Sequence, residues 1–143
     1  MSVIRNLLQI KGNTIVWAVE PDNTVLDAIK IMANKDIGAL VVMSGDKLVG
    51  IISERDCVRK VMLQGKQPAE TLVEQIMTRA IRVIHPSQTV EEAMELMNSH
   101  QIRHLPVVDE NEKVIGVISI KDVLRDVIYR QREKIKRIAE ETK

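Results

Sequence analysis

The sequence contains no phenylalanine, one tryptophan and one tyrosine, so it offers no series of aromatic platforms on which nucleic-acid bases stack. Its 21 basic and 20 acidic residues leave a net charge of +1, so no overall field attracts a polyanion. Both absences argue against a nucleic-acid-binding protein. A site for a single nucleotide remains compatible with them.

Long apolar runs are also missing. No stretch approaches the roughly 18 apolar residues of a membrane span, and polar side chains interrupt the first segment, MSVIRNLLQIKGNTIVW, where a signal peptide is continuously apolar. Cys57 is the only cysteine, which excludes an internal disulfide and fits a reducing compartment. We therefore expect a cytoplasmic protein that does not associate with membranes.

Residue patterns that indicate a catalytic site are equally scarce. The sequence has neither the Gly-x-Gly-x-x-Gly of a dinucleotide-binding turn nor a P-loop. His100 and His104 are spaced like metal ligands on a helix, but we expect that helix to end near Gln101. No cysteine or carboxylate has ligand-like spacing to these histidines. We expect no metal site, no catalytic cofactor and no enzymatic activity.

The sequence does contain an internal repeat, present in two copies. EPDNTVLDAIKIMANKDIGALVV from Glu20 aligns with HPSQTVEEAMELMNSHQIRHLPVV from His85, and GIISERD at Gly50 aligns with GVISIKD at Gly116. One residue is inserted between these two matches, in polar sequence typical of a hairpin turn. Self-similarity of this length indicates a duplicated structural unit.

Each copy predicts the element order β-α-β-β-α. The short β-branched segments TIVWAV and AIRVI end at a proline, and Thr24 and Thr89 follow as helix N-caps. ALVVM with KLVGIIS, and LPVVD with KVIGVIS, predict hairpins, and a second helix follows each heptad. The predicted fold class is α+β (mixed α/β). Because a unit of about 60 residues is marginally stable alone, we expect the two repeats to pack as a pseudo-twofold pair.

We assign residues 1–66 to repeat 1 with an N-terminal helix, 67–130 to a linker and repeat 2, and 131–143 to a C-terminal helical extension. We expect the last helix to pack against a second subunit, and a solvated terminal helix is the alternative. Its apolar side carries Leu124, Val127, Ile128, Ile135 and Ile138.

Both heptads carry a Ser-x-x-Asp pattern, at Ser53 to Asp56 and at Ser119 to Asp122. The pattern is an ordinary capping box. The same groups also suit a nucleoside phosphate, because serine and helix-start N–H groups bind phosphate while aspartate accepts ribose hydroxyls. Both interpretations remain open here. A basic residue directly precedes each aspartate, Arg55 in the first repeat and Lys121 in the second. These cations favour the interpretation as a phosphate site.

With IMT at 76–78, IRHLPVVD, GVISIKDV and GIISERDC, the chain resembles a tandem pair of CBS domains, regulatory modules named after cystathionine β-synthase. It is also similar to small stand-alone bacterial proteins made of one such pair. The resemblance implies an adenosine-containing ligand (AMP, ADP, ATP, NAD or, in some members, S-adenosylmethionine) in clefts between the repeats. It implies these ligand-binding positions: Asp56 and Asp122 at the ribose; Ser53 and Ser119 near ribose or phosphate; Ile37, Ala39, Ile102, His104 and Pro106 at the adenine; and Arg55, Lys121, Arg103, Thr78 and Ile81 as further contacts.

The two clefts are expected to differ. Arg103 and His104 precede the second hairpin, where the first copy has Gly38 and Ala39, so we expect the second cleft to bind better. A solvated strand entrance is the alternative interpretation of the Arg-His pair. The expected function is a non-catalytic sensor that signals occupancy by conformational change, within a homodimer or to a regulated protein partner. A protein-interaction or structural module with unoccupied clefts is the alternative.

Overall fold

The computed structural model describes residues 2–12 and 15–142 of the chain. The chain forms helices and strands, a π-helical turn (Val58–Met62) that ends the first repeat, and a 3-10 turn (Pro68–Glu70) between the two repeats. In chain order the helices and strands are α1 (Ile4–Lys11), β1 (Ala18–Val19), α2 (Val25–Lys35), β2 (Ala39–Ser44), β3 (Lys47–Ser53), α3 (Glu54–Cys57), α4 (Val73–Ile76), α5 (Val90–His100), β4 (His104–Val108), β5 (Val114–Ser119) and α6 (Ile120–Glu141).

The chain divides into two compact units. The first unit contains Ile15–Arg82 and Glu112–Val114, and the second contains Val83–Asn111 together with residues 2–12 and 115–142. Each unit includes one copy of the duplicated sequence, with its central helix and its hairpin. The predicted fold class, a mixed α/β chain with two repeats, is confirmed.

Each unit has an apolar core of its own, and equivalent repeat positions build both cores. The central helix of each repeat contributes one buried face, and the hairpin contributes the opposing side chains. This agreement follows from the helical and alternating apolar periods in the sequence. The matched pairs are Val25/Val90, Ala28/Ala93, Met32/Met97, Leu40/Leu105, Val42/Val107 and Ile52/Ile118.

Both predicted hairpins are confirmed: β2 pairs antiparallel with β3, and β4 is hydrogen-bonded to β5. Strand β1 pairs parallel with β2. The prediction of a strand at AIRVI was wrong, because only Ile84 pairs, in a parallel bridge with Val107. The chain turns directly afterwards, where the His85 N–H donates to the Gln88 side chain at 2.9 Å and Pro86 has no N–H to extend a ladder.

Threonine caps begin both central helices, as predicted. Thr24 Oγ1 accepts the Asp27 N–H at 3.1 Å, and the Asp27 carboxylate accepts the Thr24 N–H at 3.1 Å. Thr89 Oγ1 accepts the Glu92 N–H at 3.1 Å, but the Glu92 carboxylate accepts a hydrogen bond from Gln88 at 2.7 Å. The second box is therefore only half of the reciprocal pair that the sequence predicts.

Helix α1 packs in the second unit, which differs from its assignment to repeat 1. Ile4, Leu7 and Leu8 are buried in the core of the second unit. Helix α4, assigned to repeat 2 with the linker, packs in the core of the first unit through Val73 and Ile76. Each repeat therefore takes its accessory helix from the segment preceding the other one. Sequence proximity does not fix this pairing, because a linker lets an apolar helix reach either core.

The last helices of the two repeats differ in length. Helix α3 continues into the π-helical turn Val58–Met62 and ends there, whereas α6 runs without interruption to Glu141. Every described residue from Gln131 to Thr142 is exposed, and we call residues 131–142 the C-terminal arm. Among the described residues, no helix combines the length and the apolar character needed to cross a lipid bilayer.

Candidate ligand-binding site

The second-repeat site comprises the predicted residues Ile102, Arg103, His104, Pro106, Ser119, Lys121 and Asp122. Two local features bring its halves together. The β4–β5 pairing sets the two strands side by side, and the Ile120 N–H donates to the Arg103 carbonyl at 2.9 Å. The start of β4 therefore lies against the start of α6. Arg103 and Lys121 are exposed there, and Pro106 is buried.

Asp122 forms the centre of this site and is only 8% exposed. Its Oδ2 accepts the Ser119 N–H at 2.8 Å, and Ser119 Oγ accepts the Asp122 N–H at 3.3 Å. The same Oδ2 also accepts a hydrogen bond from Lys11 Nζ at 2.9 Å, and Lys11 donates to the Val117 carbonyl at 2.8 Å. The predicted capping box is confirmed, and a lysine from α1 joins it.

His104 lies half-buried beside these charges. Burial lowers the pKa of its imidazole from 6.5 to about 4; the carboxylate of Asp122 opposes the shift, and the cations Lys11 and Arg103 add to it. The ring is therefore neutral at pH 7. A neutral imidazole has one donor and one acceptor nitrogen, which suits hydrogen bonding to a base edge rather than charge pairing with phosphate.

Ile102, two residues before β4 begins at His104, is half-buried. It lines an open apolar cavity of about 470 Å³ together with Met94, Met97 and Ile120. Glu95 and Asn98 complete the lining, so the cavity offers an apolar surface with two polar side chains at which a small ligand can be oriented.

The first-repeat site comprises the predicted residues Ile37, Ala39, Ser53, Arg55 and Asp56. It repeats the second construction, since Ala39 is paired with Ser53 and the Glu54 N–H donates to the Gly38 carbonyl at 3.0 Å. Ala39 is buried and Ile37 is half-buried, whereas Arg55 is exposed. The start of β2 therefore lies against the start of α3.

Asp56, 9% exposed, is the counterpart of Asp122. Its Oδ2 accepts the Ser53 N–H at 3.0 Å and the Ser53 hydroxyl at 3.1 Å. Its Oδ1 forms an ion pair with Lys60 Nζ at 3.0 Å, and Lys60 Nζ also donates to the Ile76 carbonyl at 3.0 Å. Each aspartate thus forms a capping box with a serine and an ion pair with a lysine.

Thr78 and Ile81, the remaining predicted contacts, follow α4 in the first unit. Thr78 exchanges two backbone hydrogen bonds with Ile51 of β3, at 2.9 and 3.1 Å. Ile81 is half-buried, and its N–H donates to the Arg79 carbonyl at 2.9 Å in a tight turn. Thr78 is therefore held at the edge of β3, in the same unit as the first-repeat site.

Cys57 is buried beside Asp56. Burial raises the pKa of its thiol to about 11, and the carboxylates of Asp56 and Glu54 add to the shift. A thiol with this pKa carries little thiolate at neutral pH and is a poor nucleophile. Its burial in the core of the first unit indicates an apolar packing role.

The lysines that hold the two carboxylates were not predicted from the sequence. Lys60 lies four residues after Asp56, a spacing that places side chains on one helix face, so the i,i+4 rule would have found it. Lys11 is separated from Asp122 by 111 residues. No local signal indicates that pair, because it depends on α1 packing in the second unit.

Comparison with protein families finds the CBS domain twice, at residues 12–63 and 73–129. The chain is 38% identical over 146 residues to the mitochondrial CBS domain-containing protein CBSX3 of Arabidopsis thaliana, which covers 96% of this chain and 70% of that relative. A solved CBS-domain protein from Burkholderia ambifaria is 44% identical, with a TM-score of 0.87 over 91% of this chain and 96% of that one.

Two further solved structures hold adenosine compounds. One is the CBS domain protein PAE2072 from Pyrobaculum aerophilum complexed with AMP, 25% identical with a TM-score of 0.74 over 84% of this chain and 88% of that one. The other is the CBS domain pair of protein MJ0100 in complex with methylthioadenosine and S-adenosyl-L-methionine, 25% identical with a TM-score of 0.81 over 91% and 98%. Similar domain pairs therefore bind adenosine-containing small molecules.

Proposed function

Since this chain belongs to the CBS domain family, we propose that it is a non-catalytic regulatory module that binds an adenosine-containing nucleotide: AMP, ADP, ATP or NAD. The observation that supports this proposal most directly is the environment of Asp122. A buried carboxylate stands at the start of a long helix, next to exposed cations and a neutral imidazole. Relatives complexed with AMP or S-adenosylmethionine support the same ligand class.

Each part of a nucleotide has a partner of matching chemistry in this site. The Asp122 carboxylate accepts hydrogen bonds from the ribose hydroxyls, as acceptor-only groups do. Arg103 and Lys121 are exposed cations that pair with phosphate. His104 and the apolar side chains near it receive the adenine. Occupancy acts on α1 through Lys11, which is bonded to Asp122.

Thermal unfolding with each of AMP, ADP, ATP, NAD and S-adenosylmethionine at millimolar concentration tests this function. A ligand at a hundred times its Kd stabilises the native state by about 2.7 kcal/mol, so we expect a rise in Tm of several degrees with at least one nucleotide. The absence of a response to all five compounds would reject nucleotide sensing.

A second candidate function, a protein-interaction module with unoccupied clefts, is favoured by the apolar side of α6. The exposed fractions are 48% for Leu124, 51% for Ile128, 65% for Ile135 and 51% for Ile138. Their spacing follows the heptad pattern through which helices pair. We propose a second copy of the chain as the partner, forming a homodimer through the C-terminal arm. A homodimer is compatible with nucleotide binding as well as with unoccupied clefts, so only nucleotide titration distinguishes the two functions.

A further inference from the structure

The two carboxylates differ in how their oxygens are used. At Asp56 both oxygens are engaged: Oδ2 accepts the N–H and the hydroxyl of Ser53, at 3.0 and 3.1 Å, and Oδ1 accepts Lys60 at 3.0 Å. Lys60 is fixed by its second bond, to the Ile76 carbonyl at 3.0 Å. A ribose that approaches Asp56 therefore competes with an ammonium group for Oδ1, the oxygen that Ser53 leaves available.

At Asp122 the Ser119 N–H and the Lys11 ammonium both bond to Oδ2, at 2.8 and 2.9 Å. No group in the described part of the chain donates to Oδ1. No side-chain nitrogen or oxygen of the described residues is both fully buried and without a partner, so Oδ1 is accessible to solvent. Asp122 can therefore accept a ribose hydroxyl while Lys11 stays in place.

The sequence explains why the second repeat has no equivalent of Lys60. The matching position in the repeat is Asp126, which is 3% exposed and carries the opposite charge. Its carboxylate accepts hydrogen bonds from Arg130 Nε at 2.8 Å and from the Ser2 hydroxyl at 3.3 Å. The helix that follows Asp122 thus supplies no cation to it, and Lys11 of α1 binds the other oxygen.

From this difference we propose that Lys60 keeps the first-repeat site closed to nucleotide, so that each chain binds one nucleotide, at the second-repeat site. This inference rests on the proposed function and adds its stoichiometry. Binding at Asp56 requires neutral ribose hydroxyls to replace the ammonium, and hydrogen bonds to charged groups are the stronger ones. We expect the exchange to weaken binding there by roughly ten- to a hundredfold.

Calorimetric titration with AMP of the wild-type chain and of Lys60→Met tests the proposal. Methionine keeps the length and the apolar stem of the side chain but removes the ammonium. We expect one AMP per wild-type chain and two per Lys60→Met chain. Lys60→Arg keeps the cation and should bind one. Arg59→Met, which removes the neighbouring exposed cation of the same π-helical turn, is the matched control and should also bind one.

Two AMP per wild-type chain with similar affinities, or one AMP per Lys60→Met chain, would overturn the proposal. Lys60→Gln, which also lacks the ammonium, replaces Lys60→Met if that variant fails to show a cooperative unfolding transition. The absence of AMP binding by every variant, the wild type included, contradicts the proposed function itself. The two failures are therefore distinguishable in one set of titrations.

Discussion

Asp122 serves as a helix cap and as a candidate ligand acceptor at the same time. Its backbone and one oxygen complete the box with Ser119, while the other oxygen lacks a donor among the described residues. The two interpretations of Ser-x-x-Asp therefore do not compete, because a carboxylate has more acceptor positions than one cap uses. The cap fixes the orientation of the carboxylate.

At the residue scale, the shifted pKa of His104 makes the free energy of unfolding depend on pH. Its pKa is about 4 in the folded chain against 6.5 in the unfolded chain, so between these values the unfolded state holds a proton that the native state lacks. Stability is then complete above about pH 6.5 and declines as the pH falls towards 4. Between pH 7 and 5 we expect the wild type to lose about 1–2 kcal/mol more than His104→Gln, which does not titrate. Urea unfolding at both pH values measures this, and equal losses would contradict it.

At the element scale, α1 and α4 occupy corresponding places in the two units. Val3, before α1, forms a bridge with Thr89, and Leu72, before α4, forms the matching bridge with Thr24. Leu8 of α1 also lies over Gly116, and Met77, which directly follows α4, lies over Gly50. These contacts explain the glycine in both Gly-Ile-Ile-Ser and Gly-Val-Ile-Ser, since a side chain there would meet Met77 in the first unit and Leu8 in the second.

Alanine substitution of the two glycines should have unequal costs. A Cβ on Gly50 would lie 2.5 Å from Met77 Sδ and 2.9 Å from its Cγ, with the Thr78 carbonyl at 3.2 Å. A Cβ on Gly116 would meet only the Leu8 side chain, at 3.1 Å from Cδ2. We expect Gly50→Ala to cost about 1–3 kcal/mol in the free energy of unfolding and Gly116→Ala clearly less. Urea denaturation compares them, and the reverse order would contradict this packing.

Local elements could be predicted from the sequence, and non-local pairings could not. The central helices, their threonine caps and both hairpins follow from patterns within a few residues, such as Thr24 with Asp27. The AIRVI segment failed as a strand, because β-branched composition does not ensure that a partner strand lies alongside. The position of α1, and with it the ion pair of Lys11 with Asp122, depends on which core an apolar helix reaches. Sequence periodicity contains no information about that choice.

At the scale of the whole molecule, the C-terminal arm has no packing partner within the described residues. Helices draw most of their stability from packing an apolar face, so an exposed arm with Ile135 and Ile138 favours association. We expect a dimer by light scattering for the wild type and a monomer for Ile135→Lys/Ile138→Lys, which should keep a cooperative unfolding transition. Lys134→Glu/Lys136→Glu, on the same exposed arm, is the control that should stay dimeric. A monomeric wild type, or a dimeric isoleucine variant, would contradict the dimer.

The central claim is that this CBS domain pair binds a nucleotide through Asp122. Its most direct test is calorimetric titration of AMP into the wild type, Asp122→Ala and Asp56→Ala, with Asp27→Ala as a control that loses a capping-box carboxylate remote from both sites in sequence. We expect about tenfold or greater weakening for Asp122→Ala, and affinity close to that of the wild type for Asp56→Ala, whose site Lys60 keeps closed, and for Asp27→Ala. Equal affinities in all four proteins, or no binding by the wild type, would contradict it.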